Sequence, residues 1–83
     1  MDAEQIRQTL AARRRQRRLT QAQLGVLAQV SREMILRFEK GDHDIGLRRL
    51  LRLCSALDLE LIVRPGQGRP ILEELDELFK DDD

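Results

Sequence analysis

Between Thr20 and Gly41 the chain carries two helix-start signals eleven positions apart and one helix-stop signal, so two short helices must be joined there by a tight turn. Thr20-Gln21-Ala22-Gln23 fits a capping box. In that motif the hydroxyl accepts from the backbone N–H three residues on, and the glutamine side chain accepts from the cap's own N–H. Leu24, Leu27 and Ala28 are the expected inward stripe of the helix that follows. Ser31 then signals a second N-cap, with Arg32 and Glu33 in the first turn and Met34, Ile35 and Phe38 behind them. Gly41, after Lys40, is a natural C-terminal stop.

The flanks are helical by the same reasoning. Ile6 and Leu10, four apart, predict a first helix from near Ala3 to Arg17 that ends in an arginine-rich run, Arg13 to Arg18. Gly41-Asp42-His43-Asp44 reads as a loop. A fourth helix is expected to begin near Gly46, with Leu47, Leu50, Leu51, Cys54 and Leu57 at helical spacing and Arg48, Arg49 and Arg52 largely on its other face. The period then changes: Leu59-Glu60-Leu61-Ile62-Val63-Arg64, closed by Pro65, reads as a short strand. Its ladder hydrogen bonds need a partner, and none is evident elsewhere in the chain. The same strand of a second subunit is the simplest one, and an arm packed on its own domain is the alternative. Residues 65–70 read as a linker. In residues 71–83, Ile71, Leu72, Leu75, Leu78 and Phe79 form an apolar stripe flanked by acids, the pattern of a short amphipathic helix that is either docked or disordered.

Composition narrows the function classes. The 83 residues allow one compact domain with a thin core, and oligomerisation is the usual supplement. One Cys forms no internal disulfide, and one Cys with one His makes no zinc site, so no metal and no cofactor is expected. No run approaches the roughly 18 apolar residues of a membrane span, and a soluble, cytoplasmic protein is the expectation. The formal net charge of zero hides an asymmetry: residues 1–64 hold thirteen basic against eight acidic side chains, and residues 65–83 hold two against seven. That is a basic body joined to an acidic tail. His43 between Asp42 and Asp44 invites a catalytic reading, but such residues in a polar turn usually face solvent, and an enzyme is the least expected class.

A helix whose outward N-terminal end is polar and whose inner face is apolar meets the requirements of major-groove reading. Residues Leu19 to Ser31, continuing through Ile35, Phe38, Glu39 and Gly41, resemble the Xre/Cro-type helix-turn-helix family, and the resemblance covers roughly residues 6 to 57. It implies a mainly α fold, a four- to five-helix lambda-repressor-like domain over residues 1–64 with one short C-terminal strand pairing across a homodimer. Gly25 matches the position where two helices cross. Gln29 stands where the family usually has glycine at a left-handed turn, a departure that costs about 1 kcal/mol.

The resemblance also implies roles. Arg14 and Glu39 match positions that form a structural ion pair. Arg32, Glu33, Leu36, Arg37 and Gln21 match base-reading positions, and Ser31, Lys40, Thr20 and Arg18 phosphate-contacting ones. Arginine suits guanine O6 and N7, a carboxylate suits cytosine N4, and leucine packs on a thymine methyl. The helix followed at once by Leu-Glu-Leu-Ile-Val-Arg-Pro resembles HipB-type antitoxins, in which Leu59, Leu61, Ile62 and Val63 would form the dimer strand. That implies a repressor of its own operon, bound as a homodimer to an inverted-repeat DNA operator and to a HipA-like kinase-fold toxin, with Leu72, Leu75, Leu78 and Phe79 as candidate toxin contacts. A stand-alone Xre-type repressor and a protein-interaction module without DNA binding are the alternatives.

Overall fold

The computed structural model describes residues 2–65. Four helices follow one another: α1 (Ala3–Gln16), α2 (Gln21–Ala28), α3 (Arg32–Lys40) and α4 (Leu47–Ala56). The chain's own signals set their limits. Asp2 and Gln5 form a capping box at the start of α1, and Thr20 and Gln23 form the second, at α2. Ser31 Oγ accepts from the Met34 N–H at the start of α3, and Gly41 ends that helix at φ 81°, in the left-handed region. Helix α4 differs: Gly46 precedes it at φ 84° and supplies no side-chain cap.

The core gathers one face of each helix. Leu10, Leu24, Ala28, Val30, Ile35, Phe38, Ile45, Leu53, Cys54 and Leu57 are buried together, with Ile6, Met34 and Leu50 packed against them. Helix α2 packs on both α3 and α4, and α1 packs on α3. Burial pushes the Cys54 thiol above its ordinary pKa, as expected of a small core residue.

Two expected stripes shift. Leu27 is exposed, and the inner face of α2 is Leu24, Gly25 and Ala28. Close approach of the backbones at Gly25 rolls the helix onto that strip and leaves Leu27 at its edge. In α4, Leu47 and Leu51 face solvent, while Leu53 joins Cys54 and Leu57 inside.

Residues 59–65 carry no regular secondary structure. Leu59 and Leu61 pack half-buried against the core, whereas Ile62 and Val63 are 60% and 88% exposed. The expected strand pairs with nothing among the described residues. The rest of the linker and the tail with Leu72, Leu75, Leu78 and Phe79 lie outside them. No helix among the described residues is long and apolar enough to cross a membrane.

Candidate nucleic-acid interface

The turn between α2 and α3 fixes how the second helix is presented. Gln29 adopts φ 57°, ψ 44°, and the N–H groups of Gln29 and Val30 both donate to the Gly25 carbonyl. A Cβ on Gly25 would lie 2.6 Å from the Val30 carbonyl oxygen, closer than real Cβ atoms approach. Gly25 therefore permits the tight turn as well as the crossing. Val30, buried, anchors the turn, and Ser31 starts α3 one residue later.

From the other side α3 is held by a polar hub. Arg14 Nε donates to Glu39 Oε2 at 2.7 Å and Arg14 Nη2 to Glu39 Oε1 at 3.0 Å, a bidentate pair. The two side chains are only 12% and 11% exposed. Arg14 Nη1 also donates to the Leu19 carbonyl, and Gln21 Nε2 donates to Glu39 Oε1 at 3.0 Å. One carboxylate thus joins α1, α2 and α3. Burial pushes the Glu39 carboxyl up, but the hydrogen bonds from Arg14 and Gln21 and the charges of Arg14 and Arg15 outweigh it, so its pKa lies below the ordinary carboxylate value.

With its inner face so held, α3 turns Ser31, Arg32, Glu33, Arg37 and Lys40 to solvent, with Leu36 half-exposed among them. Arg37 Nη2 donates to Glu33 Oε1 at 2.9 Å, one helical turn away, so these two candidates are joined to each other. Arg32 and Lys40 have no side-chain partner among the described residues, and both point out as free cations. Thr20 and Arg18 are exposed at the start of α2 and in the preceding turn. Gln21 differs from the rest, because its amide nitrogen is engaged by Glu39.

The arginine run that ends α1 is not one face. Arg13 Nε donates to the Leu57 carbonyl at 3.0 Å, and Arg17 Nη1 pairs with Asp58 Oδ2 at 2.7 Å, so both close the C-terminal end of α4. Cations at that end also complement the helix dipole. Arg14 serves the hub, which leaves Arg15 and Arg18 exposed and unpaired among the described residues. Sequence reasoning missed the roles of Arg13 and Arg17, because their partners lie 44 and 41 positions away and no local spacing announces them.

A family model described as Helix-turn-helix matches residues 10–63, well over half of the chain. The chain belongs to the helix-turn-helix family. Over 72 residues, 87% of its length, it is 29% identical to an uncharacterized HTH-type transcriptional regulator, y4dL, of Sinorhizobium fredii. It spans 37% of that relative's length. No solved structure matches the chain significantly. Within the helix-turn-helix, α2 and α3 are the two helices, Gly25 to Ser31 carry the turn, and α3 is the helix with the polar outward face.

Proposed function

We propose that this protein is a sequence-specific DNA-binding transcriptional regulator that inserts α3 into the major groove. The observation that carries the reading is the presentation of α3. Its buried residues, Ile35 and Phe38, are locked to the scaffold, while Arg32 at its N-terminal end stands exposed with no partner among the described residues. Helix-turn-helix proteins read bases from that end of the second helix. Arg32 is assigned to direct readout of guanine. Glu33 and Arg37 would exchange their mutual ion pair for base edges, with Leu36 between them. Ser31, Lys40, Thr20 and Arg18 are assigned to phosphates, which position the domain without selecting sequence. Gln21 keeps its carbonyl oxygen for solvent or DNA while its nitrogen holds Glu39.

The test is binding of the full chain to the DNA upstream of its own gene and to a scrambled duplex, by fluorescence anisotropy across salt. Affinity should fall steeply as salt rises, and Arg32→Ala should reduce discrimination by about ten- to a hundredfold. Equal affinity for both duplexes, or indifference to salt, would overturn the reading in favour of a protein-interaction module.

We further infer a homodimeric repressor of the HipB antitoxin type. Supporting it is the run from Leu59 to Val63, which packs two side chains inward and leaves Ile62 and Val63 bare with no ladder partner among the described residues. Pairing of two such strands would place two α3 helices about 34 Å apart on an inverted repeat. A kinase-fold toxin encoded beside it is the partner of this reading, with Leu72, Leu75, Leu78 and Phe79 as its contacts. Co-purification with the products of neighbouring genes separates the antitoxin from a stand-alone repressor, which would elute alone and still bind DNA.

A further inference from the structure

Helix α4 has an exposed face of two parallel strips. Leu47 and Leu51, 64% and 46% exposed, lie one turn apart and form an apolar edge. Beside them Arg48 and Arg52 form a basic edge, again one turn apart, with no partner among the described residues. At Leu47 the apolar edge continues into a cleft of about 530 Å³ whose apolar wall includes Ile6, Ile45 and Leu50 and whose lining also includes Arg7, Asp42 and Asp44. Nothing among the described residues covers this surface.

We propose that the C-terminal segment 71–79 of the same chain docks on this face of α4. Its sequence is the complement of the face: Leu72, Leu75, Leu78 and Phe79 repeat at helical spacing, and Glu73, Glu74, Asp76 and Glu77 fill the positions between. Because Asp42 and Asp44 line the cleft, apolar side chains enter it and meet Leu47 and Leu51, while the carboxylates stay on the side of Arg48 and Arg52. The charge balance fits, since the segment beyond residue 64 carries a deficit equal to the excess on the residues before it.

The path is short. Leu59 and Leu61 line a groove against Gln5, Ile6 and Thr9, and Ile6 also walls the cleft that contains Leu47. Leu61 is thus separated from the cleft by the single side chain of Ile6, and its groove also touches Cys54 in the second half of α4. The six residues from Pro65 to Pro70 span up to about 20 Å when extended, and α4 itself is about 15 Å long. Docking does not depend on DNA binding, and it would exclude the toxin contact proposed above for the same side chains, so the segment would leave α4 to meet a toxin.

The test attaches a nitroxide to full-length Asp81→Cys, just past the docking segment, and follows amide broadening by NMR. Cys54 stays unlabelled because it is buried and its thiol pKa is raised. Residues 47–55 should lose more than half of their peak height, and more than any other helix. Arg48→Glu with Arg52→Glu should abolish that loss, and adding Glu73→Arg with Glu77→Arg should restore it. Leu51→Ser, which leaves charge untouched, should weaken it severalfold. Broadening centred elsewhere, or unchanged by the charge reversal, would overturn the proposal. Broadening of α4 seen only when spin-labelled and isotope-labelled chains are mixed would also overturn it, by assigning the segment to a second copy.

Discussion

Helices α3 and α4 are of similar length and are held in opposite ways. Ser31 Oγ caps the start of α3, a left-handed glycine ends it, and a bidentate arginine grips its last turn through Glu39. Helix α4 has no side-chain cap at its start and relies on Leu53, Cys54 and Leu57 beneath it, with Arg13 and Arg17 drawn over its end. Hydrophobic burial is non-directional, whereas a cap or a bidentate pair fixes an orientation. A helix that sets several side chains against base edges, as proposed for α3, needs the second kind of support. One that completes a core needs only the first.

The contrast is sharpened most by removing an apolar anchor of α4. Leu57 is fully buried, and Leu57→Ala should cost about 3 kcal/mol, enough to leave so small a domain partly unfolded by circular dichroism at room temperature. Cutting the polar support of α3 comes next. Arg14→Ala strands the Glu39 carboxylate and should cost about 2 to 3 kcal/mol, read as a lower midpoint in thermal or urea unfolding.

The acid limb identifies the second effect. Because the folded pKa of Glu39 is depressed, its stabilisation is present above the unfolded value of about 4.3 and is lost as pH falls through the lower folded value. In Arg14→Ala burial is left largely uncompensated, and the carboxyl tolerates protonation. The stability gap between the two proteins should therefore narrow below about pH 4. A gap constant from pH 7 to 3 would place the cost of the substitution in packing.

The same contrast explains what could be read from the residues in order. Starts and stops were legible because caps are local: Thr20, Ser31 and Gly41 act within a few positions, although the capping box at Asp2 went unread. The face of α2 was misjudged at Leu27 because periodicity reports an apolar stripe but not which edge a close crossing selects. Leu47 and Leu51 fit the helical period of α4 equally well, yet the helix buries Leu53 in their place. The positions of Arg14 and Glu39 were approached through a family resemblance, while Gln21 was placed only among the DNA contacts and also donates to Glu39. Arg13 and Arg17, whose partners lie more than forty positions on, had no local signature at all.

Smaller effects probe the turn itself. Ser31→Ala removes the hydroxyl that accepts from Met34 and should cost about 1 kcal/mol, whereas α4 has no cap of this kind to lose. Gln29→Gly should run the other way. At φ 57° a residue with a Cβ carries about 1 kcal/mol of strain, and glycine relieves it. Glycine also gives the unfolded chain more freedom, which returns about half of that gain. A net stabilisation of about 0.5 kcal/mol should raise the melting temperature by about 2 to 4 °C. Gly46→Ala, at φ 84° with open space around it, should lower stability by backbone strain alone. If Gln29→Gly instead lowers the melting temperature, the Gln29 side chain makes a contribution that outweighs its strain, and the turn is held by more than the Gly25 carbonyl and the burial of Val30.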